Sequence, residues 1–211
     1  MAHDTDITVL LDRSGSMASI LDDTIGGFNS FLKDQQSQEG SAKMTLVQFD
    51  NDYDEVYTGV DIKEVEALTP KTFVPRGSTA LLDSMARTIT ATGVRLGSIP
   101  ADDRPQNVVF VIITDGAENC SKEVTRDKVF EMVKHQTEKY NWTFLYLGAN
   151  QDAISVGTGL GIGASNSLSY SANSAGVRNS YSAASVAVDH IRTGAKFRGF
   201  TSDQRDDSLK S

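Results

Sequence analysis

Four short apolar runs, Ile7–Leu11, Met44–Phe49, Val108–Ile113 and Thr143–Leu147, constrain the fold of this chain more than any other feature. Each has the length of a strand and reads as one buried on both faces. Helical spacing fills the gaps between them. Ile20, Leu21, Ile25, Phe28, Phe31 and Leu32 recur on one face after the first run. Leu81, Leu82, Met85, Ile89 and Val94 mark a second helix over Thr79–Leu96, and Val124, Val129, Phe130 and Val133 a third over Lys122–Tyr140. Strands alternating with helices predict an α/β domain with a mostly parallel sheet and helices on both faces. Glu55–Val60 reads as a further strand, joined to Met44–Phe49 by the turn Asp50–Asp54. So short a connection forces one antiparallel edge strand, because a parallel crossover needs a dozen or more residues.

At 211 residues the chain suits one such domain, expected over residues 1–198. Gly26-Gly27 lies inside the first helix, at a cost of about 1 kcal/mol per Gly against Ala, and allows either close packing or a bend. After Gly148 the composition shifts to glycine, serine, alanine and asparagine. Order is still expected to about Arg192, because Val177, Tyr181, Ala184, Val188 and Ile191 keep helical spacing, with Leu168 and Tyr170 in a short edge strand before them. Residues 199–211 are polar and are expected to fray.

The formal net charge of −8 argues against nucleic acid as a partner, since phosphate binding needs a basic face. No run approaches the roughly 18 apolar residues of a membrane-spanning helix, and Met1–Asp6 carries two acids and nothing like a secretory signal. With Cys120 the one cysteine, no intrachain disulfide can form. A cytoplasmic protein is expected, or a virion component made in the cytosol.

Chemistry concentrates where the apolar runs end. Asp12-Arg13-Ser14-Gly15-Ser16 follows the first run and places three oxygen donors around a glycine-permitted turn. Gly77-Ser78-Thr79 and Thr114-Asp115-Gly116 add two more donors, the latter after Val108–Ile113. Asp12, Ser14, Ser16, Thr79 and Asp115 together suit a divalent cation, Mg²⁺ in the first place, which prefers oxygen ligands, few carboxylates and retained waters. Mn²⁺ and Ca²⁺ remain alternatives. Each segment also has a plain structural reading: Asp12, Ser14, Ser16 and Thr79 as helix caps, Asp115-Gly116 as a turn.

Asp12-Arg13-Ser14-Gly15-Ser16-Met17 resembles the Asp-x-Ser-x-Ser signature of von Willebrand factor type A domains. Gly77-Ser78-Thr79-Ala80-Leu81 is similar to that family's second segment and Thr114-Asp115-Gly116 to its third. The resemblance implies a Rossmann-like fold from about Asp6 to Arg192 and a metal-ion-dependent adhesion site. Ser14, Ser16 and Thr79 would then reach the cation directly, with Asp12 and Asp115 acting largely through waters. It further implies a binding module, not an enzyme, in which a protein partner supplies an Asp or Glu to the cation. The stretch Gly157–Ser185 departs from animal adhesion domains and resembles stand-alone bacterial and phage members, which act as adaptors or assembly factors. A structural part of a larger assembly such as a phage particle is the alternative, and self-association stays open. A metal-assisted phosphohydrolase fits less well, because the chain lacks a P-loop, a second Asp two residues after Asp12 and a well-placed Lys.

Asp83, one helical turn past Thr79, reads as part of a solvated helix face rather than a brace for the Thr79 loop. Asp50–Glu55 reads as an acidic hairpin turn, since Glu55 stands where a calcium loop needs glycine. His3, His135 and His190 are scattered and show no zinc-ligand spacing.

Overall fold

The computed structural model describes residues 4–210. Six strands form one sheet: β1 (Thr5–Asp12), β2 (Ala42–Phe49), β3 (Tyr53–Asp61), β4 (Asn107–Thr114), β5 (Thr143–Ala149) and β6 (Ser167–Tyr170). Their spatial order is β3-β2-β1-β4-β5-β6, and only the β2–β3 pair is antiparallel. Six α-helices accompany them: α1 (Leu21–Ser37), α2 (Leu81–Gly97), α3 (Arg126–Tyr140), α4 (Ala153–Gly159), α5 (Ser174–Arg192) and α6 (Ser202–Ser208). No helix among the described residues is long and apolar enough to cross a membrane.

The two sheet faces divide the core. Ile7, Val9 and Leu11 of β1 pack with Phe28 and Phe31 of α1 and with Tyr181 and Val188 of α5. Leu10, pointing the other way, joins Val47, Phe49, Leu81, Met85 and Ile89 beneath α2, and Val129 and Val133 of α3 complete that side. The apolar runs are uninterrupted because both of their faces are covered. Gly27 serves close packing, against a helix: a Cβ there would lie 2.4 Å from the Tyr181 ring of α5.

Three expectations change. Residues 199–211 do not fray up to Lys210, the last described residue. Thr201 and Gln204 form a reciprocal capping box that starts α6, Phe200 is buried, and Arg205 donates to the carbonyls of Ala164, Ser165 and Ser167. The second helix starts at Leu81, leaving Thr79 in the loop before it, and the third starts at Arg126 behind a Thr125 cap, leaving Lys122–Val124 in a loop. Val94, one of the apolar positions in the pattern of the second helix, is exposed.

β1 and β4 are neighbours at the centre, with Leu11 paired to Ile113. The chain leaves β1 through α1 over one face and reaches β4 through α2 over the other. The connections therefore part at the carboxyl ends of β1 and β4, which opens a crevice there.

Candidate metal centre

Asp12 is the last residue of β1 and is fully buried. Its Oδ1 accepts the Ser14 backbone N–H at 2.6 Å, which folds the chain back sharply after the strand. Its Oδ2 accepts the Thr114 hydroxyl at 2.6 Å. That bond follows from register, because Asp12 and Thr114 lie one step beyond the Leu11–Ile113 pair. The Ser14 and Ser16 hydroxyl oxygens are 3.1 Å apart, and the Ser16 hydroxyl donates to Asp115 Oδ1 at 2.6 Å. Ser14, Ser16 and Asp115 are thus linked oxygen to oxygen across two loops, and Asp12 joins them through the Ser14 backbone N–H.

Thr79 arrives from a third loop and is buried. The space beside Gly116 locates it: a Cβ placed there would lie 2.7 Å from Thr79 Oγ1 and 3.5 Å from both Asp12 Oδ2 and Ser14 Oγ. Three oxygens from two loops therefore surround one point on the third, and glycine leaves that point open. Adjacent oxygens of an octahedral Mg²⁺ shell are about 3 Å apart, so the spacing of these groups fits such an ion. The set contains only two carboxylates. Among the described residues no cluster of three or more His, Cys, Asp or Glu gathers anywhere as an alternative metal centre.

No protein-family model matches this sequence, and no curated protein matches it. Solved structures do. The zinc-loaded form of proximal thread matrix protein 1 from the mussel byssus, described as having a zinc-occupied MIDAS motif, superposes with a TM-score of 0.61 at 13% identity, over 86% of this chain and 47% of that one. A point mutant of the PilB minor pilin from Streptococcus sanguinis gives 0.62 at 12% identity over 90% and 62%. A von Willebrand factor type A protein from Catenulispora acidiphila gives 0.54 at 13% identity over 88% and 42%. This chain has the von Willebrand factor type A fold. It spans less than two thirds of the length of each of those three proteins.

In this fold the three loops are tied to one another by backbone and by buried charge. Gly15 N–H donates to the Gly77 carbonyl at 3.1 Å and Arg76 N–H to the Arg13 carbonyl at 2.8 Å, joining the first loop to the second. Gly77 needs its freedom: its φ is +68°, and an added Cβ would fall 2.1 Å from Asn51 Oδ1. Asp50, fully buried, receives Arg13 Nε at 3.0 Å and Arg76 Nε at 2.9 Å. Burial alone would raise the Asp50 carboxyl, but the Asp52 backbone N–H and the two guanidiniums outweigh it and hold it below the usual carboxylate range. The acidic turn after β2 is accordingly a clamp on the loop that follows Asp12. Its leading carboxylate is occupied by arginines.

Electrostatics set the two candidate ligand carboxyls apart from Asp50. Burial raises Asp12 to about 6, against the opposing hydrogen bonds of Thr114 and Ser14, with the Asp115 charge adding to the rise. Burial also raises Asp115, opposed by the Ser16 hydroxyl. Neither has a basic side chain among its hydrogen-bond partners. A cation between them would supply the missing positive charge.

The third loop is held by groups whose roles the sequence did not disclose. Glu118 and Asn119 bond to the start of α2. Asp83, expected on a solvated face, instead accepts the backbone N–H groups of Lys122, Glu123 and Val124, so it braces the loop after Asp115 rather than the one carrying Thr79. Thr114 was visible only as part of a motif; its bond to Asp12 depends on strand register. Cys120 lies in this loop, where burial and then the Glu118 charge push its thiol up and away from thiolate. His135 and His190 are exposed on α3 and α5, while His3 lies outside the described residues.

Proposed function

We propose that Ser14, Ser16 and Thr79, backed by Asp12 and Asp115, hold a divalent cation and that the domain uses it to bind a protein partner through an Asp or Glu side chain. The observation that carries this reading is the convergence beside Gly116 of hydroxyl and carboxylate oxygens from three loops. Mg²⁺ is the expected ion, with Mn²⁺ and Ca²⁺ able to substitute, since availability often decides among such oxygen sites.

The residues divide the work. The two carboxylates provide charge, while three hydroxyls provide neutral ligation that leaves the ion short of negative charge. Such a cation supplies a Lewis-acidic position that accepts a carboxylate oxygen from outside. Asp12 is fixed by Ser14 N–H and the Thr114 hydroxyl, so its orientation does not depend on the ion. Among the described residues no histidine lies beside the site, and this together with the raised Cys120 thiol favours a binding module over an enzyme. The net charge of −8 favours a protein partner over nucleic acid. An adaptor or assembly factor in a reducing, cytosolic setting is the role that fits.

The test is affinity capture of partners from the source lysate with and without EDTA, using the wild type, Asp12→Ala and Asp115→Ala. Partner recovery should vanish in EDTA and in both variants while circular dichroism stays unchanged. Equal recovery with and without EDTA would overturn the proposal.

A further inference from the structure

We infer that Glu118, assisted by Asn119, sets the separation between Thr79 and Asp115 and thereby tunes how tightly the three loops hold a cation. The inference rests on the metal-binding reading above, and Glu118 enters it as a positioning residue that touches no ion.

α2 lacks a side-chain cap of its own. The residue before α2 is Ala80, whose side chain accepts no hydrogen bond, so the first N–H groups of α2 need partners from elsewhere. They find them on the loop after Asp115. Glu118 Oε2 accepts Leu82 N–H at 2.9 Å and the Ser121 hydroxyl at 2.8 Å, and Ser121 Oγ accepts Asp83 N–H at 3.1 Å. Glu118 Oε1 accepts the N–H groups of Cys120 at 3.0 Å and Ser121 at 2.8 Å, which closes its own loop. The favour is returned from the helix: Asp83 accepts Lys122, Glu123 and Val124 N–H at 2.7, 3.0 and 2.9 Å.

Asn119 completes the join at the ligand itself. Thr79 N–H donates to Asn119 Oδ1 at 2.9 Å, and Asn119 N–H donates to the Thr79 carbonyl at 3.1 Å. The loop carrying Thr79, with the helix start that follows it, and the turn carrying Asp115 are therefore bonded to each other. Carboxylate-to-amide bonds of this kind are stronger than neutral ones and are favoured at a helix N-terminus. The gap they define is small, since Thr79 Oγ1 lies 2.7 Å from where a Gly116 Cβ would sit. Loosening either arm changes that gap directly. Glu118 is not aimed at the gap, because both its oxygens are taken by the loop and the helix.

The experiment compares the wild type with Glu118→Ala, Glu118→Gln and the remote control Asn29→Ala. Asn29 closes an unrelated loop by exchanging two bonds with the Leu68 backbone. Mn²⁺ affinity is measured calorimetrically where all variants are folded, and amide hydrogen exchange is measured in EDTA. Glu118→Ala should lose about tenfold in Mn²⁺ affinity, in line with losses seen when groups supporting metal ligands are removed. Glu118→Gln, keeping one acceptor oxygen, should lose less, and Asn29→Ala should bind as the wild type does. Faster exchange at Thr79, Leu82, Cys120 and Ser121 should accompany the Glu118 changes alone. If Glu118→Ala does not fold, Glu118→Gln carries the test. Wild-type Mn²⁺ affinity in the Glu118 variants overturns the inference and leaves metal binding standing. Wild-type protein that binds no Mn²⁺ overturns the metal reading, and the tuning with it.

Discussion

At the scale of single residues, the oxygens that gather at the carboxyl ends of β1 and β4 are costly to bury without a cation. Asp12 shows this most clearly, with a carboxyl at about 6 in the fold against 3.8 in the unfolded chain. Between those values the folded protein keeps a proton that the unfolded chain has released. Stability from this group is therefore greatest below about pH 4 and declines as pH rises through 6. At 1.36 kcal/mol per pKa unit, the full swing is roughly 3 kcal/mol. In EDTA, urea denaturation at pH 4.5, 5.5 and 7.5 should show the wild type losing stability relative to Asp12→Asn as pH increases. A difference that stays constant across that range would mean that Asp12 is not the strained acid its burial implies. Asp50, also closed to solvent, behaves oppositely: the Asp52 backbone N–H, Arg76 and Arg13 hold it low, so its clamp persists until pH falls below the ordinary carboxylate range. Two buried aspartates thus differ because one has arginines and the other has only hydroxyls and amides.

At the scale of elements, the edges of the sheet matter most. β6 has a neighbour on one side only, and the chain closes its free side with α6, an element without an apolar stripe. Arg205 takes three carbonyls there, while Ser171 N–H donates to the Ser208 carbonyl. Thr201→Ala removes the hydroxyl half of the capping box and should cost about 1 kcal/mol. Hydrogen exchange should quicken at Ser171 and along 202–208, with β1 and β4 unaffected; unchanged exchange at Ser171 would show that the latch does not depend on the cap. This helix was not legible in the sequence because polar contacts hold it. The Thr201–Gln204 pair was the one local signal of its start. The central strands were legible because uninterrupted apolar runs admit little else. The starts of α2 and α3 were misplaced by two and four residues, because Thr79 and Lys122–Val124 are held by Asn119 and Asp83 from across the loop. Asp12, Ser14, Ser16, Thr79 and Asp115 could be proposed from motif and position. Glu118 could not, since its partners depend on the path of the loop after β4.

At the scale of the whole molecule, the candidate site exists only when the sheet has formed. Asp12 and Asp115 are 103 positions apart in the chain, and Thr79 comes from a loop that reaches them after two strands and a long connection. An unfolded chain offers no such convergence, so a cation bound here stabilises the native state by mass action. At a free concentration one hundred times Kd, that gain is about 2.7 kcal/mol. For a domain of this size each kcal/mol moves Tm by roughly 2–4 °C, so saturating Mg²⁺ should raise Tm by about 5–10 °C over EDTA. Asp115→Ala should remove the shift while leaving the melting curve in EDTA close to that of the wild type, because Asp115 lies just past β4 and outside both apolar clusters. Nonspecific binding to a chain of net charge −8 is controlled by repeating the scans in high salt, which screens exposed carboxylates far more than the buried Asp12 and half-buried Asp115. A Tm that rises equally in the variant, or that salt alone abolishes, would place the cations on the acidic surface rather than between the three loops.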